Sequence, residues 1–291
     1  MYKAIRTLRI VIALIAMGVP TVALVMGYQQ VFHHMQMLVS LIAGSLVCLV
    51  FWLVVSLIYG RIYCSTMCPL GTAMDCVSLL ARTAERRRRD YRYRPAAQKV
   101  RMAFFCAVVV LILCGGSILP TLFDPFTAYA RIVETLVARP LHLLGLGDDI
   151  DAVRFSLSAT ALGAAYALFV VVFAWRRGRL LCNMACPIGT LMGLAAKRAV
   201  FHVDINTDKC INCGECERVC KAECIDLINH TVDTSRCVVC FDCMTVCPND
   251  AITYRTGRHR LRMPMMQTTA GSGTAAECSA KTTAQSSEIQ Q

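Results

Sequence analysis

Charge is missing from four long stretches of this chain. Residues 10–28, 37–59, 102–123 and 155–175 contain no Lys, Arg, Asp or Glu. Each is close to the ~20 apolar residues that a helix needs to cross a bilayer core. Runs of this kind exclude an ordinary soluble domain. The same stretches hold no histidine, which excludes a haem clasped between imidazoles inside them, and no charged group to mark an ion pathway. Nowhere is there a C-x-x-C-H sequence, a P-loop or a G-x-G-x-x-G turn, so a nucleotide-dependent oxidoreductase finds no support. Acidic residues are scarce too, 19 against 30 Lys and Arg, for a net charge of +11. Those basic residues border the apolar runs, where they read as topology signals and not as a nucleic-acid surface.

The expected fold is therefore a membrane α-helical bundle of four transmembrane helices in two pseudo-symmetric pairs. Lys3, Arg6 and Arg9 precede the first run, and residues 29–36 carry no Lys or Arg. Residues 60–101 carry ten, including Arg86–Arg89, whereas residues 120–154 carry three among five acidic residues. Arg176, Arg177, Arg179, Lys197 and Arg198 follow the fourth run. The positive-inside rule then places both termini and the 60–101 loop in the cytoplasm, as a multi-pass protein of a bacterial inner membrane. The first run shows no small-residue cleavage site and reads as a span, not a signal peptide. Pro20 and Gly115–Gly116 are candidate kinks. Arg86–Arg89 reads as a topology anchor, with binding to anionic lipid or a partner as the alternative. In the outer connection, Asp124 can cap and Pro125 can open a short helix over 126–137, expected along the outer membrane face. Three regions result: a membrane domain over 1–200, a cluster-binding domain over 201–257, and a disordered tail over 258–291 rich in Ser, Thr, Ala, Gly and Gln, in which Cys278 is incidental.

Eighteen cysteines are present, in spacings that suit thiolate ligation in a reducing compartment better than a disulfide framework. Cys210, Cys213, Cys216 and Cys220 follow C-x2-C-x2-C-x3-C. Cys237, Cys240, Cys243 and Cys247 repeat it 27 residues later, with Pro248 next. This is the pattern of an α+β bacterial-type ferredoxin holding two [4Fe–4S] clusters, in which the fourth cysteine of each run serves the other cluster. The first cluster would take Cys210, Cys213, Cys216 and Cys247, and the second Cys237, Cys240, Cys243 and Cys220. Zinc sites rarely duplicate such a run. One departure stands out. Lys221 replaces the proline expected after Cys220, and Cys224 follows four residues on. Cys220 matches Cys247 in spacing and is the preferred ligand; Cys224 is either its replacement or a bystander.

A second repeat is stranger. GRIYCSTMCPLGTAM at 60–74 recurs as GRLLCNMACPIGTLM at 178–192. Each follows a span at the cytoplasmic membrane surface, after the second and the fourth. In-out-in pairs of this kind form parallel repeats about an axis along the membrane normal. Such an axis would bring Cys64 and Cys68 to face Cys182 and Cys186. Neither pair alone completes a cubane, but together they offer four thiolates, for a third [4Fe–4S] cluster or another redox metal site. The alternatives are a packing motif without metal and a redox disulfide. Pro69 and Pro187 would bound helices beside the site, Gly71 and Gly189 would let backbones approach, and Arg61 and Arg179 would offset cluster charge or anchor helix ends. Cys48, Cys106 and Cys114 read as small apolar packing residues, and Cys76, whose counterpart is Leu194, as no ligand.

Four spans, two C-x3-C-P phrases and a C-terminal two-cluster ferredoxin resemble the NapH, MauN and NosR group of membrane ferredoxin-type proteins, over about 8–254. The resemblance implies electron transfer between the quinone pool and an unidentified redox protein partner, as an electron-transfer subunit of a quinol-linked oxidoreductase system. Its matching positions are Cys64, Cys68, Cys182, Cys186 and the eight ferredoxin cysteines. Quinol or quinone would bind within the four spans, and His33 and His34 in the outer connection are either proton acceptors there or plain loop histidines. The competing readings are a redox-linked assembly or maturation factor and a membrane redox regulator.

Overall fold

A computed structural model describes residues 2–26, 46–84, 91–114, 124–138, 140–141 and 157–256. The expectations placed on His33, His34, Arg86–Arg89, Gly115–Gly116, the tail and Cys278 lie outside the described residues, as does part of the second and third apolar runs.

The N-terminal part is helical throughout. Helix α1 covers Tyr2–Val25, α2 Leu46–Tyr59, α3 Tyr63–Thr66 and α4 Pro69–Ala84. The second half follows with α5 Gln98–Leu113, α6 Pro125–Val133, α7 Leu157–Arg177, α8 Leu180–Met184 and α9 Pro187–Ala196. Among the described residues one helix, Tyr2–Val25, is both long and apolar enough to cross a membrane; Val47–Tyr59 is a shorter apolar helix. Pro20 sits inside α1 without ending it, and Thr21 Oγ1 donates to the Met17 carbonyl one turn back. The apolar side chains of α1, α2 and α7 face outward as well as inward: Leu8, Ile15, Val22, Val47, Phe51, Leu168 and Phe169 are all exposed.

The packing of these helices is exchanged between halves. Helix α2, which precedes the first phrase, packs on α9, which follows the second. Helix α7, which precedes the second phrase, packs on α4, which follows the first. Helix α1 packs on α3 and α4, and α5 correspondingly on α8 and α9. The centre of this arrangement is a core that contains Met74 and Met192 at equivalent positions, both fully buried.

Helix α6 forms as expected. Asp124 caps it by accepting from the Thr127 backbone N–H at 2.9 Å, Pro125 occupies the first turn, and a π-helical turn, Glu134–Ala138, extends it. Its position differs from the expectation of a helix lying along an outer face. Ala128, Tyr129 and Val133 are buried against α1, α4 and α7, and the Tyr129 hydroxyl shares a hydrogen bond with Thr21. An amphipathic helix with three inward apolar residues gains more from that groove than from lying flat.

The C-terminal part has two antiparallel strand pairs and two short helices. Strand β1, Phe201–Ile205, pairs with β4, Ile252–Thr256, in the register Val203 to Tyr254. Strand β2, Ile225–Asp226, pairs with β3, Thr231–Val232. Helices α10, Glu215–Val219, and α11, Asp242–Val246, pack on each other. Left-handed backbone recurs at Asn212 and Val239, at Gly214 and Phe241, and at Glu223 and Asp250. Every pair is separated by the 27 residues that separate the cysteine runs, so the duplication extends to the backbone. A β-branched residue such as Val239 rarely adopts this conformation.

Candidate iron–sulfur centres

The repeated phrase builds one site from both halves. Cys64, Cys68, Cys182 and Cys186 line a single cavity of about 50 Å³ together with Arg61, Arg179, Gly71, Gly189, Pro125 and Tyr166 among others. Helices α3 and α8 carry Cys64 and Cys182. Cys68 and Cys186 stand just before the prolines that open α4 and α9. There the free amides of a helix N-terminus point at sulfur: Gly71 N–H lies 3.4 Å from Cys68 Sγ, and Gly189 N–H 3.3 Å from Cys186 Sγ. The same glycines permit close approach. A Cβ on Gly71 would stand 2.7 Å from the Cys64 carbonyl oxygen, and one on Gly189 2.6 Å from that of Cys182.

The two phrase arginines are almost fully buried and lie at this site. Arg179 donates from Nε and Nη2 to the Asp75 carboxylate at 2.7 and 2.9 Å, and from Nη1 to the Cys64 carbonyl at 2.6 Å. Arg61 donates to Asn183 Oδ1 at 2.6 Å and to the Ser235 carbonyl at 3.1 Å, and its Nη2 lies 3.8 Å from Cys64 Sγ. Their surroundings differ, and in charge they differ at Asp75. The counterpart of Asp75 is Gly193, and the space a side chain would need there is filled by Arg101. Among the described residues no carboxylate pairs with Arg61, and its Nε has no partner. A buried guanidinium without an anion is costly.

The thiols complement it. Burial, then the charges of Cys182 and Cys64, push Cys68 well above the usual thiol range. Burial pushes Cys182 up to about 11 against the pull of Arg179, and burial with Cys182 raises Cys186. Without a metal these sulfurs stay protonated; iron would favour the thiolates. Among the described residues, no three of the ligand-type side chains converge as the ligands of one ion would. Four thiols around a volume, with amides and a buried cation aimed at sulfur, fit a cubane of net negative charge.

The ferredoxin cysteines gather around two places. Cys210, Cys213, Cys216 and Cys247 line one cavity of about 20 Å³, closed by Ile205, Leu227, Pro248 and Ala251. In the other set, Cys237, Cys240 and Cys220 all lie within electrostatic reach of Cys243. Cys220 and Cys224 sulfurs stand 3.5 Å apart, and both are buried. The hydrogen bond between the two sulfurs lowers the pKa of Cys220 and raises that of Cys224.

Sequence reasoning missed Asp75. It is flanked by Arg179, Arg9 at 3.8 Å and Lys221 at 3.6 Å. Lys221 also reaches Asp242 at 3.2 Å, and Asp242 accepts from Arg6. The residue that broke the ferredoxin pattern thus ties α4 to α11. Arg179 and Lys221 both lie within electrostatic reach of Cys240. The glycines that open each phrase serve the same junction: Gly60 faces Val239, Gly178 faces the Lys221 carbonyl, and both have positive φ. Of the other cysteines, Cys48 packs against the helical core, and Cys76, Cys106 and Cys114 are exposed.

Comparison with known proteins agrees with the geometry. A family model described as a 4Fe-4S binding domain matches twice, at residues 41–88 and 160–206, once over each phrase. A second 4Fe-4S binding domain model matches 203–226. The methylamine utilization ferredoxin-type protein MauN of Paracoccus denitrificans is 27% identical over 180 residues, 62% of this chain and 53% of its own. The ferredoxin-type protein NapH of Haemophilus influenzae is 24% identical over 193 residues, 65% of this chain and 55% of its own. YccM of Escherichia coli is 25% identical over 195 residues, 62% of this chain and 47% of its own. The chain thus matches about half the length of these relatives. No solved structure matches.

Proposed function

From a chain of the NapH/MauN-type 4Fe-4S family, we propose a membrane-bound electron-transfer protein that links the quinone pool to a redox partner. Iron–sulfur electron transfer itself is supported by these relatives and family models. The observation that carries the rest is the single cavity lined by Cys64, Cys68, Cys182 and Cys186, joined through Arg179 to the ferredoxin part.

Twelve cysteines would hold three [4Fe–4S] clusters: the four phrase thiols one, Cys210, Cys213, Cys216 and Cys247 another, and Cys237, Cys240, Cys243 and Cys220 the third. When bound, the clusters supply one-electron carriers. The protein's own residues set their order. Arg179 touches the Cys64 backbone and acts on Cys240, and Cys243 lies within reach of Cys216. The phrase site would then neighbour the Cys240 set, and that set the Cys210 set. Asp75, Lys221 and Asp242 join the helical part to the ferredoxin part. The four apolar runs span the membrane in this reading, supported by the outward apolar faces of α1, α2 and α7. The phrase site then lies at the membrane surface, where a quinol held among the spans can approach it through the apolar wall of Tyr166, Phe169 and Leu181.

The test is reduction by a quinol analogue of the anaerobically purified chain in detergent, followed by the bleaching of its iron–sulfur absorbance. Bleaching on a turnover timescale in wild type, abolished in Cys64→Ser/Cys182→Ser, is expected. That variant should also fall from about twelve irons per chain to about eight. Full quinol reduction in the variant would sink the role of the phrase site.

A further inference from the structure

We propose that Cys224 is an interchangeable terminal ligand of the second ferredoxin cluster, able to replace Cys220 on the same iron. The inference rests on the reading of Cys220, Cys237, Cys240 and Cys243 as a cluster set.

Cys220 and Cys247 are counterparts, and 27 residues separate Cys224 from Ala251. Both follow a left-handed residue, Glu223 or Asp250, and both are buried. Each precedes an isoleucine that starts a strand, Ile225 or Ile252. Ala251 donates its backbone N–H to Cys247 Sγ, four residues earlier, at 3.3 Å. Ala251 lines the cavity of the Cys210 set. The equivalent position at the other set therefore faces its cluster, and there the side chain is a thiol. It is not held away from the site: its sulfur stands 3.5 Å from Cys220 Sγ. Were burial all that the position required, the alanine of the other half shows what suffices.

The exchange is balanced. The iron–Sγ bond to Cys220 breaks and a bond to Cys224 Sγ forms. The proton of the Cys224 thiol passes to the departing Cys220 sulfur across the contact they already share. Iron keeps its oxidation state, and no outside reactant is consumed. The first cluster has no such reserve, because Ala251 carries no donor.

Iron, acid-labile sulfide and the electron paramagnetic resonance of the dithionite-reduced full chain test this, in wild type, C220A, C224A, C220A/C224A and C247A. C220A should keep the wild-type iron content with one cluster signal shifted, and C224A should keep it too. The double variant should lose about four irons per chain, and C247A should lose iron from the other cluster. The proposal fails if C220A loses as much as the double variant while C224A is fully loaded. It fails equally if C224A alone loses a cluster, or if C247A keeps all its iron, since retention would then need no spare thiol. A wild-type chain without ferredoxin iron would overturn the functional reading first and this proposal with it.

Discussion

Single side chains at the junction carry most of the electrostatic tension. Burial raises the pKa of Asp75, but Arg179, Lys221 and Arg9 outweigh it and hold the carboxyl at about 2. Its ordinary value is 3.8, so the folded protein gains stability above that value and loses it as pH falls toward 2. The contribution is about 2 kcal/mol at neutral pH. Asp75→Asn removes it and leaves three cations facing one another, at a cost of about 3–5 kcal/mol. Denaturant titration of both proteins should show the gap at pH 7 narrowing as the pH falls through 4 to 2; a gap that is constant with pH would contradict the assignment. Arg61 supports a second prediction. Its buried guanidinium has no carboxylate among the described residues and lies beside Cys64. Removing one charge-assisted contact worth about 1.5–3 kcal/mol should lower the potential of the phrase-site cluster in Arg61→Gln by roughly 60–130 mV. A redox titration followed by paramagnetic resonance reads it, and an unchanged potential would leave Arg61 as a structural anchor only.

Elements differ in how far they could be read in advance. The meeting of Cys210, Cys213 and Cys216 in one cavity follows from spacing, because the three lie within seven residues and the loop itself brings them together. Helix α6 was equally legible: Asp124 and Pro125 are local signals, and both act where expected. Its docking was not, since burial against α1, α4 and α7 depends on residues far along the chain. Asp75 escaped notice for the same reason. It looks like one more charge on a helix, and its partner Arg179 is 104 residues away. Lys221 registered only as a broken pattern, with no hint of the carboxylates it bridges. The phrase glycines show how tightly the elements meet. In Gly189→Ala the new methyl would press on the Cys182 carbonyl oxygen at 2.6 Å and on Arg61 Nη2 at 2.7 Å. Backbone must move, at about 1–3 kcal/mol, and α9 is displaced from α8. Iron should fall from about twelve to about eight per chain with the ferredoxin signals intact. Loss of the ferredoxin signals instead would mean that the two sites fold as one unit.

At the scale of the whole molecule, one constraint links topology to electron flow. The start of α1 docks on the ferredoxin part: Arg6 pairs with Asp242 at 2.7 Å, and Tyr2 packs in the ferredoxin core. The N-terminus and the clusters therefore share one face of the molecule. Both phrases open at that face too, because Gly60 and Gly178 abut Val239 and Lys221. In the proposed reading the chain follows an in-out-in-out-in path that returns it there after each pair of runs, and the excess of Lys and Arg would make that face the cytoplasmic one. Epitope tags at the two ends of the chain should then behave alike in sealed membrane vesicles. Both should be cut by added protease when the cytoplasmic face is outward, and both should be protected when it is inward. Opposite behaviour of the two tags would require an odd number of crossings and would undo the paired arrangement. Protection of both tags in the cytoplasm-out vesicles would instead place the ferredoxin part outside the cytoplasm, and its electron partner with it.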